Sequence, residues 1–326
     1  MNRVLLVRLS AMGDLVQSLG AVVALRDARP DLEPVLLTQR AFAPLLAGLR
    51  GVTVVEHDRR GGIGAVLRTA RTLRALRCAT ALDLQGNWKS AGLALLSGAR
   101  ERIGAAAAWR QEPWSRVWLT RTVAIDGERH PARIATALVR ELAPGAAVGP
   151  PRLEALPAEL DGAAAAVRAL GIDASRPFRV VTIARPDDPR AQRPAALAAE
   201  LAAGAMPTLA LLGPGEADLA VPGGVAVLRQ QASALRELVA LGALVARAGG
   251  EVVGPDHGPL HVLAAAGART SALFGPQDPR CTAPPQARVL QHAAPPACMP
   301  CRSRRCRHPR GPVCMDFTSA TGRVPP

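Results

Sequence analysis

No tyrosine occurs in this 326-residue chain, aromatic residues make up 2% of it, and Lys89 is its one lysine. So few rings remove the stacking platform on which successive bases of a single strand are held, and nucleic acid is not expected as a partner. No apolar run is long enough for a secretory core or a membrane span; the N-terminal stretch 4–7 is short and bracketed by Arg3 and Arg8. The chain is therefore expected in the cytoplasm. No GxGxxG follows a strand candidate and no GxxxxGK[ST] occurs, which disfavours a dinucleotide oxidoreductase and a P-loop NTPase. Cysteine is scarce until the end: of six, four crowd the last thirty residues, unlike the spread of a disulfide framework.

What is abundant is arginine and alanine. Lys+Arg number 40 against 26 Asp+Glu, a formal charge of +14, which favours phosphate-bearing partners electrostatically. An arginine-biased composition explains part of that excess without any anionic partner. The length fits two domains of about 150 residues, and two domains imply a cleft. Strand-like runs at residues 4–7, 35–38, 52–56 and 80–84 alternate with helix-like stretches at 15–28, 41–47 and 63–77. After a Pro/Gly-rich linker at 142–157 the pattern restarts, with strand candidates at 179–183, 208–212, 225–228, 251–253 and 270–274. This is the form of successive βα units, and the expected fold is α/β: two Rossmann-like domains with parallel sheets facing across a cleft, residues 1–150 and 151–326.

Ligands in open α/β sheets sit beyond the carboxyl ends of strands, so four stretches stand out. In RLSAMGDLVQ (8–17), Asp14 and Gln17 match a capping box with Asp14 at the N-cap, and the same carboxylate is a candidate for chemistry. The two roles are compatible, one oxygen serving the helix and the other the cleft. In VVGPDHGPLHVLAAAG (252–267), Asp256, His257 and Gly258 form a turn before a helix, Pro259 suits its first turn, and His261 follows. That is either a capped helix with a buried histidine or a set of bare amides for phosphate oxygens. In LLGPGE (211–216), Glu216 either holds ribose hydroxyls or sits in solvent. In LDLQGNWKSA (82–91), Gln85 and the sole lysine, Lys89, follow a strand end, where a solvated helix start is the plainer reading.

Those four stretches, with ALFGPQDP (272–279) and CMPCRSRRCRHPRGPVCM (298–315), occur in the order and form that resemble glycosyltransferase family 9, the ADP-heptose:lipopolysaccharide heptosyltransferases. The resemblance implies a GT-B fold whose N-terminal half takes the acceptor and whose C-terminal half holds the nucleotide sugar. It implies an inverting transfer of heptose from an ADP-sugar to a lipid A/Kdo-type lipopolysaccharide acceptor, with no metal needed for the chemistry. Asp14 falls on the family's general base, with Ser10, Gly13, Gln85 and Lys89 on the acceptor side. Asp256, His257 and Gly258 fall on its phosphate-binding turn, His261 on the histidine after it, and Glu216 on its ribose-side acid. Three departures follow. DPRAQRP (188–194) lacks the family's lysine, Ala191 standing in its place, so that Arg190 or Arg193 is the expected cation. A chain so altered could also be a weakened paralogue that binds without turnover. His257 replaces the usual Thr/Ser, and the terminal helix that relatives generally carry is expected to be absent.

Two further features have alternative readings. Cys298-x2-Cys301-x4-Cys306-x7-Cys314 has enough thiols for a structural zinc site, and Arg302, Arg304, Arg305 and Arg307 would favour thiolates. Reduced thiols that order a loop, or a redox-labile pair, are the alternatives. In WRQEPWSRVW (109–118), Trp114 and Trp118 have the i, i+4 spacing of a helix packing inward, while Arg110 and Arg116 among the rings suggest an amphipathic face on an anionic inner-membrane surface.

Overall fold

Strand β1 (Asn2–Val7) runs through the middle of a sheet, and its residues Val4 to Val7 are buried on both faces, as an uninterrupted apolar run requires. The computed structural model describes residues 2–203, 206–216, 219, 221, 224–231 and 234–325. The chain divides into two compact units, Met1–Arg152 and Leu153–Pro326. The first contains, after β1, α1 (Met12–Ala28), β2 (Leu32–Gln39), β3 (Thr53–His57), α2 (Gly62–Leu76), β4 (Thr80–Asp83), α3 (Trp88–Leu96), β5 (Glu101–Ala105), β6 (Arg121–Val123) and α4 (Pro131–Arg140). Its six strands are parallel in the order β3-β2-β1-β4-β5-β6.

The second unit contains α5 (Pro157–Ala169), β7 (Arg179–Thr182), α6 (Pro194–Ala202), β8 (Thr208–Leu212), β9 (Ala226–Arg229), α7 (Leu235–Arg247), β10 (Glu251–Pro255), α8 (Gly258–Ala265), β11 (Arg269–Phe274), α9 (Pro279–Thr282) and β12 (Arg288–Gln291). Its sheet, also parallel, runs β12-β11-β10-β7-β8-β9, the order of the first sheet when counted from β7. Each unit is therefore a doubly wound half. In each, strand order reverses between its first and fourth strands, which opens a crevice beyond the carboxyl ends of β1 and β4, and of β7 and β10.

Proline at the first helical position starts α4, α5 and α6, where the missing N–H costs nothing. Three strands had no clear signature. β5, β6 and β12 are short and carry arginine, and they become strands only because a neighbour in the sheet pairs with them. The expected helix at 41–47 is a single 3₁₀ turn, Ala43–Leu46, too short to bury a face. The Pro/Gly-rich stretch is not free linker along its whole length: a Cβ at Gly20 of α1 would lie 2.2 Å from the Gly149 carbonyl oxygen, so the chain presses directly on the helix. Among the described residues no helix is long and apolar enough to cross a membrane.

The tryptophan segment departs most from expectation. It forms two 3₁₀ turns, Ala107–Trp109 and Pro113–Trp118, instead of one helix. Trp118 packs edge-on against Trp88 with ring centroids 4.6 Å apart, whereas Trp114 faces outward at 72% exposure. Arg110, read as part of a surface face, is buried.

Candidate active site

The loop from β1 to α1 is held by its neighbours from the β4 side. Gln85 Oε1 accepts the Leu9 N–H (2.8 Å) and the Ser10 N–H (3.2 Å), and Gln85 Nε2 donates to Ser10 Oγ at 3.2 Å. Gln85 is in turn fixed by Asp83, whose Oδ1 accepts the N–H groups of Gln85 (3.2 Å) and Gly86 (3.0 Å). Helix α1 starts three residues earlier than its sequence suggests. Ala11 is the N-cap and Asp14 is the third helical residue, so the capping reading is shifted by one turn. Asp14 Oδ2 accepts the Ala11 N–H at 3.3 Å, which is the reaching-back half of a capping box; alanine supplies no forward half.

The same oxygen meets Arg8 Nη2 at 2.5 Å. Arg8 is buried and its Nη1 donates to the Leu84 carbonyl, so the guanidinium is clamped between the end of β4 and the first turn of α1. Asp14 Oδ1 has no partner among the described residues, and a quarter of the side chain is exposed. A carboxylate with one oxygen fixed and the other free can take a proton from an incoming hydroxyl. Gly13 is buried under the same turn. Lys89 lies exposed on the first turn of α3, which Asn87 and Ser90 cap reciprocally (Ser90 N–H to Asn87 Oδ1, 3.0 Å; Asn87 N–H to Ser90 Oγ, 3.1 Å). The solvated helix start is thus what the structure places there.

Beneath this loop lies a pair that sequence reading missed. Asp83 Oδ2 accepts from Arg110 Nη2 at 2.7 Å, and both side chains are 0% exposed. Arg110 also donates from Nε (2.9 Å) and Nη2 (2.7 Å) to Ser115 Oγ. Gly86, at φ +80°, lets the turn after β4 pass the Arg110 backbone; a Cβ there would stand 3.1 Å from its Cα. The one available signal was an aspartate at a buried strand end, which needs a cation or several N–H donors.

In the second unit the turn between β10 and α8 is built around Asp256. Its Oδ1 meets His261 Nε2 at 2.9 Å, its Oδ2 accepts from Thr282 Oγ1 at 2.8 Å, and its carbonyl oxygen accepts from Arg190 Nη1 at 2.6 Å. The Asp256 carboxylate therefore orients the turn and is no free ligand. His257 is the N-cap of α8 without a side-chain bond to its amides; its Nε2 instead meets Thr182 Oγ1 of β7 at 2.8 Å. Gly254 makes room for that hydroxyl, since a Cβ there would lie 1.9 Å from it. Burial first, then the Arg190 charge, push the His257 imidazole down to about 3, so it is neutral near pH 7. Pro259 has no N–H and the Leu260 N–H donates to the His257 carbonyl (3.1 Å), so the Gly258 N–H is the donor left open at the head of the α8 dipole among the described residues.

Arg190 and Arg193 have different surroundings. Asp188 holds Arg190 through Oδ1–Nε (2.9 Å) and Oδ2–Nη2 (2.6 Å), which aims its Nη1 at the Asp256 turn. The Asp188 contact also raises the Arg190 guanidinium above its usual value. Arg193 instead caps α6 and pairs with Asp316 at 3.5 Å. Glu216 lies in the turn after β8, its N–H donating to the Gly213 carbonyl (3.1 Å), and burial lifts its carboxyl above the ordinary range. A cavity of about 380 Å³ opens beside β7 and β10, lined among others by Thr182, Ala184, Ala191, Arg193 and Pro255.

Residues 234–310 match the model of glycosyltransferase family 9 (heptosyltransferase), a span that includes the Asp256 turn and most of the cysteine segment. The second unit therefore carries a segment similar to that family. Solved structures show the same two-sheet GT-B fold over nearly the whole chain. A family 9 glycosyl transferase from Veillonella parvula aligns with a TM-score of 0.75 at 18% identity, over 88% of this chain and 84% of that one. The Escherichia coli heptosyltransferase WaaC, solved with ADP-2-deoxy-2-fluoro heptose, aligns at 0.67 and 20%, over 89% and 93%. E. coli ADP-heptose lps heptosyltransferase II aligns at 0.67 and 20%, over 89% and 90%. No curated protein matches.

The cysteine segment is tied to the sheet at both ends. Arg302 donates from its backbone to Pro276 O (2.7 Å) and pairs with Asp278 at 2.6 Å, while Cys314, Met315 and Phe317 are buried with Val253, Leu273 and Leu290. Cys298, Cys301, Cys306 and Cys314 line one cavity of about 570 Å³ with His308. No three of these sulfurs lie all within 4.8 Å of one another, and burial pushes the Cys314 thiol up to about 11, against the expectation that arginines favour its thiolate. The arginine nearest in sequence to the first pair, Arg302, is engaged by Asp278. Near residue 323 the backbone returns to β12 in an isolated antiparallel bridge, Gln291 to Arg323.

Proposed function

We propose that this protein is a family 9 glycosyltransferase that moves a heptose from an ADP-sugar to the inner core of lipopolysaccharide, inverting the anomeric centre. The observation that carries the reading is Asp14, with Oδ2 fixed by Arg8 and Ala11 and Oδ1 open. Asp14 accepts the proton of an acceptor hydroxyl as that oxygen bonds to the anomeric carbon. The bond from that carbon to the diphosphate breaks, and ADP leaves with the electron pair. The growing phosphate charge is met by the Gly258 N–H at the head of α8, on the turn that Arg190 braces, while Glu216 is the candidate for the ribose hydroxyls. The similar E. coli proteins, a heptosyltransferase solved with ADP-2-deoxy-2-fluoro heptose and an ADP-heptose lps heptosyltransferase, support the donor and acceptor class.

Incubation with ADP-heptose and a truncated core acceptor tests this. Product from the wild type, absent with Asp14→Asn, is expected. Saturable ADP-heptose binding without product would instead favour a weakened paralogue, the reading that Ala191 in the lysine position supports.

Two accessory readings belong with this one. The outward Trp114 and Val117, beside exposed Trp88, Lys89 and Arg116, support attachment of the first unit to an anionic membrane that carries a lipid acceptor. Pelleting with anionic but not neutral vesicles, weakened by Trp114→Ala, is expected; equal pelleting of the variant would remove this face from the account. The four thiols that share a cavity also fit the donor set of a structural zinc, which would draw their sulfurs together and order the tail. Protein purified without chelator is expected to carry about one equivalent of zinc, and less than half an equivalent would rule the site out.

A further inference from the structure

The donor-side cavity is lined not only from the β7–α6 loop but also from the cysteine segment, which brings Arg310 and Pro312 to it. We propose that Arg310 is a cation that binds the donor diphosphate. This rests on the nucleotide-sugar reading above and goes beyond it, because the resemblance, although its cysteine segment contains Arg310, assigns that residue no role.

Three observations converge on it. The other cations are committed: Arg190 is gripped by Asp188 and the Asp256 carbonyl, and Arg193 is paired with Asp316. Arg310 lines the same cavity and has no ion-pair partner among the described residues. The position of the family's lysine is taken by Ala191, whose short side chain also lines the cavity and supplies no charge.

The placement of Arg310 is fixed by its surroundings. Its N–H donates to His308 Nδ1 (3.2 Å), and the turn closes with the Gly311 N–H on the His308 carbonyl (2.9 Å), Gly311 taking a φ of +75°. Beyond it, Met315 is fully buried and its carbonyl accepts the Arg193 N–H at 3.3 Å, which staples the tail to the start of α6. A guanidinium there offers a fork of N–H groups to phosphate oxygens, which neither alanine nor a neutral amide replaces.

The test is ADP affinity by calorimetry on the full chain with Arg310→Gln and Arg310→Lys, which differ little in reach but differ in charge. ADP binding is expected to weaken about ten- to a hundredfold in the glutamine variant, as for loss of a hydrogen bond to a charged group. The lysine variant, which keeps the charge but not the fork, should recover part of it. Unchanged affinity in Arg310→Gln, or equal losses in both variants, would overturn the proposal, the second outcome marking Arg310 as wall rather than cation. A wild type that binds no ADP would instead overturn the nucleotide-sugar reading on which it rests.

Discussion

Asp14→Asn will lower the rate of sugar transfer by about two to four orders of magnitude, the usual contribution of a general base, with ADP binding to the second unit unchanged. Asparagine can still accept the Ala11 N–H, so the reaching-back bond of α1 survives. What is lost is the negative charge, and with it both the proton acceptor at Oδ1 and the partner of the buried Arg8 guanidinium. The variant should therefore be somewhat less stable as well as nearly inactive. The two effects separate in Arg8→Met, which removes the buried cation together with its need for a partner and leaves the carboxylate. Steady-state kinetics and thermal unfolding of both variants check the account. Retention of more than a tenth of wild-type activity by Asp14→Asn would exclude Asp14 as the base.

The largest stability effect is expected at Arg110→Ala. Asp83 and Arg110 are both fully buried, and removal of the cation leaves a carboxylate with only the Gln85 and Gly86 amides for company. Breaking a buried pair from one side costs about 3–5 kcal/mol, or a fall of roughly 10 °C or more in the melting of the first unit. The double variant Asp83→Asn/Arg110→Met should be less damaged than Arg110→Ala alone, because no unpaired charge remains. Additive losses in a double-mutant cycle, measured by denaturant unfolding, would show that the pair is not coupled. A change here should also reach the candidate base, since Asp83 fixes Gln85 and Gln85 fixes the Leu9 and Ser10 amides.

Much of the fold was legible along the chain because its signals are local. A buried parallel strand reads as a continuous apolar run, as at residues 4–7, and a helix announces itself by its period and by proline at its start. Those signals also fixed which loops leave the carboxyl ends of strands. β5, β6 and β12 were not legible because short arginine-bearing segments have no strand preference of their own. The 109–118 segment misled for a similar reason: an i, i+4 pair of tryptophans satisfies helical spacing, but the chain forms 3₁₀ turns, in which that spacing no longer puts both rings on one side.

The sequence by itself determined two doubly wound α/β halves, the loops that carry Asp14 and Asp256, and the position at which a family lysine is replaced by Ala191. Only the tertiary structure decided which arginine serves which purpose. With 39 arginines left once Lys89 is taken from the 40 basic residues, they are indistinguishable in local context. Their roles depend on carboxylates and carbonyls brought close by the sheets: Arg8 on Asp14 and Leu84, Arg110 on Asp83, Arg190 on Asp188 and Asp256, Arg193 on Asp316. Burial strengthens such a contact, as at Arg8 and Arg110, and penalises its loss, and burial is a property of the folded chain rather than of any segment.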